Sequence, residues 1–410
     1  MKKILFLILV TATLYSQESG SPYTRFGFGV FNNSVSTRAL GKAGTSIAVF
    51  DDNELNNLNP ASWAKIKNTV FSSGLVLESS KSEDDKASKN YKNMNFSNTV
   101  LGIPLQKDKE FVLAIGIYSK SKVGYNVTKE VVVNSIPAEE IYFGSGGLSE
   151  FQIGLTYSPV KNLDFGFKTG YNFGEIQHSG KLKFNNSDYT DNEYRNSMYT
   201  KGFSYTGGII YSGLDKMLNI NSGNIGIIFS PKFDLRAKRE RYSYFTSSST
   251  SIYDTLISSD VDATLPMKVG VGLNLGFTER LNIGFDYLFS GWENYKLDGS
   301  NEGLKNSQRF SVSCELMPDK EFLASYTARM RYSVGLYYEK MNLEINGTRI
   351  NEYGVTLGCG IPLSRNAALN TALIYGRRGK NENGLILDSF IKLQFSLALN
   401  ELWFVNTEDQ

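Results

Sequence analysis

Residues Gly384 to Phe404 read GLILDSFIKLQFSLALNELWF, and from Ile391 onward they alternate. Ile391, Leu393, Phe395, Leu397 and Leu399 fall in one phase, and Lys392, Gln394, Ser396, Ala398 and Asn400 fall in the other. Period two over about ten residues is a strand with one apolar and one polar face. A tilted strand of about 9–11 residues is also what a bilayer crossing requires. The stretch closes on Trp403-Phe404, the kind of aromatic pair found where a barrel strand meets the membrane interface. An edge strand of a soluble sandwich would alternate too, so the decision rests on how often the pattern returns.

It returns along most of the chain. Phe111-Leu113-Ile115-Ile117, Phe151-Ile153-Leu155-Tyr157, Leu163-Phe165-Phe167, Phe203-Tyr205-Gly207-Ile209, Ile225-Ile227-Phe229 and Val269-Val271-Leu273-Leu275-Phe277 each form an apolar phase. The opposite phases hold Gly, Ala, Thr, Asn, Gln and scattered charges, such as Lys268, Gly270, Gly272 and Asn274. About fourteen such segments fit between Thr69 and Phe404, an even number as in bacterial single-chain barrels. The connections add an independent signal. Gln106 to Lys109, Pro159 to Asn162, Thr278 to Arg280 and Leu363 to Asn366 are short; Ser80 to Asn93, Ser119 to Gly147, Glu175 to Ser197 and Lys238 to Asp260 are long and polar. Short periplasmic turns alternating with long outer loops are the topology of outer-membrane barrels. The expected fold is all-β: a transmembrane antiparallel β-barrel over residues 69–404.

The N-terminus reads MKKILFLILVTATLYSQ, two lysines followed by an apolar run and small or polar residues, which is a secretory signal peptide over residues 1–16. Residues 17–68 lack alternation and are expected to form a compact segment that hangs below the barrel or folds into its lumen as a plug. Within it, Asp51 to Asn59 reads as a short helix entry or loop before a turn at Pro60. Residues 405–410 form a C-terminal tail. Composition agrees with a barrel: among 410 residues there are 38 Gly, 24 Tyr and 26 Phe, and small residues suit the inside while aromatics suit lipid. The formal net charge of +2 comes with no basic stripe of the kind nucleic acid requires. No long apolar run follows Ser16, which excludes a helical membrane protein.

Catalytic chemistry has little support. The one histidine, His178, falls in an expected outer loop and reads as solvated, and a hydrolase would need a fixed partner for it. No CxxC, HExxH or P-loop spacing occurs, so no enzyme activity, metal or cofactor is expected. Cys314 and Cys359 lie in apolar phases, as small lipid-facing residues on strands that are not neighbours. The acidic run Glu83 to Asp85 and the basic run Arg236 to Arg241 fall where loops are expected; they read as solvated, or as a surface meeting lipopolysaccharide or a partner protein.

From Arg38-Ala39-Leu40-Gly41 through Gly44, Asp51-Asp52 and Asn59-Pro60-Ala61, the chain resembles the FadL-like family of outer-membrane transporters for hydrophobic molecules. Further matches are LPMKVGVGLNLGF at Leu265 to Phe277, FDYLFSGWENY with Trp292, RYSVGLYYEK at Arg331 to Lys340, and NELWF at Asn400 to Phe404. The opening Ser21-Pro22-Tyr23 with Arg25-Phe26-Gly27, and Tyr375-Gly376-Arg377-Arg378-Gly379, resemble the Bacteroidota branch and, more distantly, barrel subunits of the type IX secretion machinery. The resemblance implies a fourteen-stranded barrel whose N-terminal part plugs the lumen, with Arg38, Gly41, Gly44, Asp51, Asp52, Asn59, Pro60 and Ala61 as the plug motif. It implies passive entry of a small, fatty-acid-like molecule across a membrane of lipid and lipopolysaccharide. The alternative is a non-transporting barrel subunit or scaffold with an envelope protein partner. In such transporters a kink in the third strand opens a lateral hole. Ser119 to Gly124, SKSKVG, breaks the alternation of the third segment and reads as the strand's end, with a kink as the alternative.

Overall fold

The computed structural model describes residues 20–401 except 34–35, 52–53, 107–109, 187, 248–249, 320, 322–323 and 383. The signal peptide, Asp52, Trp403-Phe404 and the tail lie outside the described residues. After a two-residue strand β1 (Val30–Phe31), the chain forms β2 (Thr69–Glu83), β3 (Ser88–Gln106), β4 (Phe111–Ser119), β5 (Ser121–Val133), β6 (Ile136–Val160), β7 (Leu163–Phe184) and β8 (Asp191–Tyr211). It continues with β9 (Ser222–Ser230), β10 (Phe233–Ser247), β11 (Thr250–Leu265), β12 (Lys268–Gly276), β13 (Leu281–Ser290), the short β14 (Lys296–Leu297) and β15 (Ser307–Leu316). The last four are β16 (Arg331–Ile345), β17 (Thr348–Ser364), β18 (Ala367–Gly379) and β19 (Leu387–Glu401).

These strands close a 14-stranded antiparallel barrel. The wall runs β2-β3-β4-β6-β7-β8-β9-β12-β13-β15-β16-β17-β18-β19, and β19 returns to β2 from Leu387↔Glu83 to Glu401↔Thr69. Closure removes the unpaired edge that would be untenable in lipid. One phase of each crossing strand points outward and stays exposed, for example Phe151, Ile153, Leu155 and Tyr157 on β6, or Ile225, Ile227 and Phe229 on β9. A continuous apolar belt of this kind marks a surface made for lipid.

The long connections are where structure and sequence differ. Ser80 to Asn93, Ser119 to Gly147 and Glu175 to Ser197 are strand extensions ending in tight hairpins, and much of Lys238 to Asp260 is strand. The basic run Arg236 to Arg241 therefore sits on β10, and His178 sits on β7; neither is in a loop. Above the lipid belt neither face needs to be greasy, so alternation fades although the hydrogen-bonded ladder continues. Following the loop asymmetry of membrane barrels, the hairpin end is termed the outer end. There β5, β6, β7, β8, β10 and β11 form a sheet rising above the wall. Pro231 and Pro266, which cannot donate to a ladder, stand where the wall strands β9 and β12 give way to the raised β10 and β11.

Cys314 pairs with Val334 and Cys359 with Tyr332, so both flank β16 without being neighbours, and both are free. The third segment does not end at SKSKVG, contrary to the reading above. It breaks at Lys120 and resumes as β5, with Gly146 and Gly147 opposite at φ of 104° and 145°, backbone values that side chains other than glycine rarely adopt.

Candidate functional site: the occupied lumen

The described residues between Gly20 and Asn68 pack against inward-facing residues of the wall, from its outer end to its short-turn end. At the outer end, Tyr23 Oη donates to Ile386 O (2.5 Å), and the Ser21 hydroxyl donates to Asp388. Lower down, Ser36 caps a one-turn helix, Thr37–Gly41, by accepting from Ala39 N at 3.3 Å. At the short-turn end a 3-10 helix, Pro60–Lys65, starts from Asn59, whose Oδ1 accepts from Ala61 N at 3.0 Å. The expected loop ahead of Pro60 is thus met by a capped turn, and the chain then enters β2.

Arg38 is the centre of the segment's fixation. Its guanidinium forks onto Glu315 of β15 with two 2.8 Å bonds and reaches Asp51 at 2.9 Å. Lys42 adds a second cation 3.6 Å from Glu315. All four side chains are less than a tenth exposed. Paired, forked geometry of this kind is what makes burial of the charges tolerable. The sequence motif contains Arg38 and Asp51 but not Glu315, which looks like any inward acid on an alternating strand.

A second acid was also missed. Glu54 accepts from Thr37 N (3.2 Å), Arg38 N (3.0 Å), Ser36 Oγ (2.9 Å) and, across the lumen, Ser396 Oγ (2.8 Å). It satisfies the amides at the start of the one-turn helix and ties them to β19. Asp286 of β13 likewise accepts from Ser46 N and Ile47 N at 2.7 and 3.0 Å. Asn59 Nδ2 donates to Ile47 O (2.6 Å), and Trp63 Nε1 donates to Asn56 O (2.7 Å), so the segment also binds itself.

The inward glycines make room for this backbone. Gly41 sits against Gly358, and its carbonyl accepts from Thr356 Oγ1 and Ser333 Oγ at 3.0 and 3.1 Å. Gly44 has φ of 89°, a turn that few other residues allow. A methyl at Gly166 would overlap Ala61 N and Pro60 C, whereas a methyl at Gly207 would meet nothing within 4 Å. Gly166→Ala is therefore expected to cost about 1–3 kcal/mol of stability through overpacking, read from the urea midpoint. Gly207→Ala, on the outward face, should leave that midpoint unchanged.

What stays open is a cavity of about 260 Å³ near the middle of the lumen. Its wall is mixed: Leu58, Phe96, Ile228, Phe233 and Phe390 line it together with three ion pairs. Lys120 bonds Glu150 at 2.6 Å, Arg309 bonds Glu339 at 2.7 Å, and Arg378 bonds Glu352 at 2.6 Å. Lys168 reaches Asn57 O (2.7 Å) and Gln152 (2.8 Å), linking the wall to the segment. His178 is not solvated as expected: it is half-buried, with Nδ1 2.8 Å from Tyr125 Oη. Among the described residues there is no cluster of His, Cys, Asp and Glu suited to a metal.

Solved barrels share the architecture. The monoaromatic hydrocarbon channel CymD aligns with a TM-score of 0.62 at 12% identity, over 92% of this chain and all (100%) of that one. A Pseudomonas aeruginosa FadL homologue aligns at 0.63 and 11% identity, over 90% and 99% of the two chains. The Ralstonia pickettii toluene transporter TbuX aligns at 0.60 and 13%, over 94% and 99%. Identities this low establish the shared fold and nothing finer. No curated protein matches in sequence. The family model that matches is BamG, over residues 1–408, and the chain belongs to the BamG family.

Proposed function

We propose that this protein is an integral outer-membrane barrel that acts as a non-transporting subunit of an envelope assembly. The observation that carries this reading is a lumen filled by a segment fixed through buried charges. A hydrocarbon passing through would have to displace a segment held by Arg38, Glu54, Asp286 and Lys168, whose buried ion pairs and hydrogen bonds it cannot replace. Breaking one buried pair by removing a partner costs about 3–5 kcal/mol, and an apolar solute offers the exposed charges nothing in return. Membership of the BamG family, rather than of a hydrocarbon-channel family, supports the same reading. So does the more distant resemblance to barrel subunits of the type IX secretion machinery. In this reading residues 17–68 are a permanent plug, and Arg38, Asp51 and the Asn59-Pro60-Ala61 turn are its fastenings.

A second reading, passive admission of small hydrophobic molecules, is favoured by the fold shared with the CymD and TbuX channels. The two separate in one experiment. Hydrophobic-probe uptake is compared between cells with and without the protein, and the gently solubilised protein is weighed by native mass spectrometry. The subunit reading expects equal uptake and a stoichiometric partner. Uptake that falls on deletion, with a protein that weighs as a lone barrel, would favour transport.

A further inference from the structure

The break at Lys120 leaves a seam in the raised wall. β3 pairs with β4 only from Asn98 downward, so its upper part, Ser88–Ser97, has β2 on one side alone. Across the seam stands β5, which pairs with β6 throughout Val123–Val133 and, among the described residues, with no other wall strand. Bridging the gap takes a whole tyrosine side chain and a hydrogen bond, Tyr91 Oη to Asn126 O at 3.2 Å. Directly paired strands would sit about 4.8 Å apart.

The open edge of β5 is served in a gradient. At its foot β1 of the N-terminal segment adds antiparallel, Val30↔Lys122 and Phe31↔Ser121. One step up, Gly124 N donates to Thr24 Oγ1 and Gly124 O accepts from it, both at 3.0 Å. The next alternate carbonyl, Asn126 O, takes Tyr91 Oη and Lys89 Nζ (3.0 Å). Backbone groups of alternate residues point to the same edge, so Thr128, Glu130 and Val132 follow on this side. All three are exposed, Val132 to 70%. The upper part of the seam, where the strand edge is free, lies above the lipid belt: the outward residues at this level are Ser79, Lys92 and Asn126. Its foot, at Met94 to Ser97, lies beside Leu75 and Leu77 and borders the cavity.

The chain already adds one strand of its own to this edge and leaves the upper half, β-branched and free of proline, without one. We infer that Thr128–Val132 is a strand-acceptor site for an extended segment of a partner protein, adding antiparallel to β5 in line with β1. Alternate apolar residues of that segment would pack beside Val127 and Val131, while the backbone supplies the pairing. This rests on the subunit reading above.

The test uses the gently solubilised native assembly and the protein stripped of partners. Peptides covering Asn126–Val133 should exchange amide hydrogens on the order of 100-fold more slowly in the assembly, since a paired edge opens far less often than a free one. The double variant Thr128→Pro with Val132→Pro removes two edge donors that the β6 ladder does not use. Proline is tolerated on an edge, so the barrel should keep its heat-modifiable mobility while the partner is lost. A stoichiometric partner with no added protection at this edge would overturn the inference and leave the subunit reading standing. A lone barrel by mass would overturn both. Protection accompanied by a mass of two copies would mean that a second copy is the occupant, and the partner-strand assignment would fall.

Discussion

Glu315→Ala is expected to lower folding stability by about 3–5 kcal/mol, the cost of leaving buried charges without their partner. Glu315 is the one wall carboxylate that takes both bonds of the Arg38 fork, at 2.8 Å each, and it also neutralises Lys42. Without it Arg38 keeps Asp51, but Lys42, whose side chain is 3% exposed, has no other carboxylate within salt-bridge reach among the described residues. Glu315→Gln keeps hydrogen-bonding capacity and loses the charge, so it should fall between wild type and alanine. The exposed pair Lys81–Glu83 is the control: Glu83→Ala should change stability by no more than about 1 kcal/mol. Urea midpoints of the barrel in vesicles give the comparison, and proteolysis of residues 20–66 reports whether the segment has come loose. If Glu315→Ala leaves both readings at wild-type values, the ion cluster is not what holds the segment.

Much of this architecture was legible because lipid imposes a period. Where a strand must show one face to hydrocarbon, as in β12 or β19, the sequence writes alternation, and strand positions follow. The same rule explains the failures. β5, β10 and β11 rise above the lipid belt, and among the described residues only their feet are buried, at Val123, Tyr125, Leu235, Ala237, Val261, Ala263 and Leu265. SKVGYNVTKEVVV and RAKRERYSYF therefore carry no lipid-imposed period and read as loops. His178 was placed in a loop for that reason, and its contact with Tyr125 depends on strand register rather than on local sequence. The lumen segment was legible only as motif: Arg38, Asp51 and the Asn59-Pro60-Ala61 turn stand together in the chain. Their fastenings on the wall, Glu315, Asp286 and Thr356, are separated from them by more than two hundred residues, and one sequence holds no record of such a pairing. Ser119 to Gly124 shows the same limit. Its break in alternation is visible, but whether the strand stops or shifts depends on the glycines at 146 and 147, and on β1 arriving from the other end of the chain.

The outward phase makes a prediction of similar size. Leu273 lies mid-strand in β12, in register with Ile225 and Phe285 on its neighbours, at the centre of the lipid belt. Leu273→Arg should cost about 2–4 kcal/mol, the depth-dependent penalty for arginine on the lipid face of a barrel. Inward positions should divide according to whether the segment fills the space beside them. Asn274, one residue on, is half-buried near the short-turn end, and Asn274→Arg should be tolerated better than Leu273→Arg. Gln394 is also inward, but its Nε2 donates to Thr37 Oγ1 at 3.0 Å and it is 2% exposed. Gln394→Arg would drive a third cation towards Arg38 and Lys42, so it should destabilise by overpacking, about 1–3 kcal/mol, and by charge burial. Refolding into vesicles of defined thickness measures all three variants. An open channel would accept arginine at both inward positions, and a soluble sandwich would accept it at Leu273. The expected order, with Asn274 mild and both Leu273 and Gln394 severe, belongs only to a membrane barrel whose lumen is closed from within.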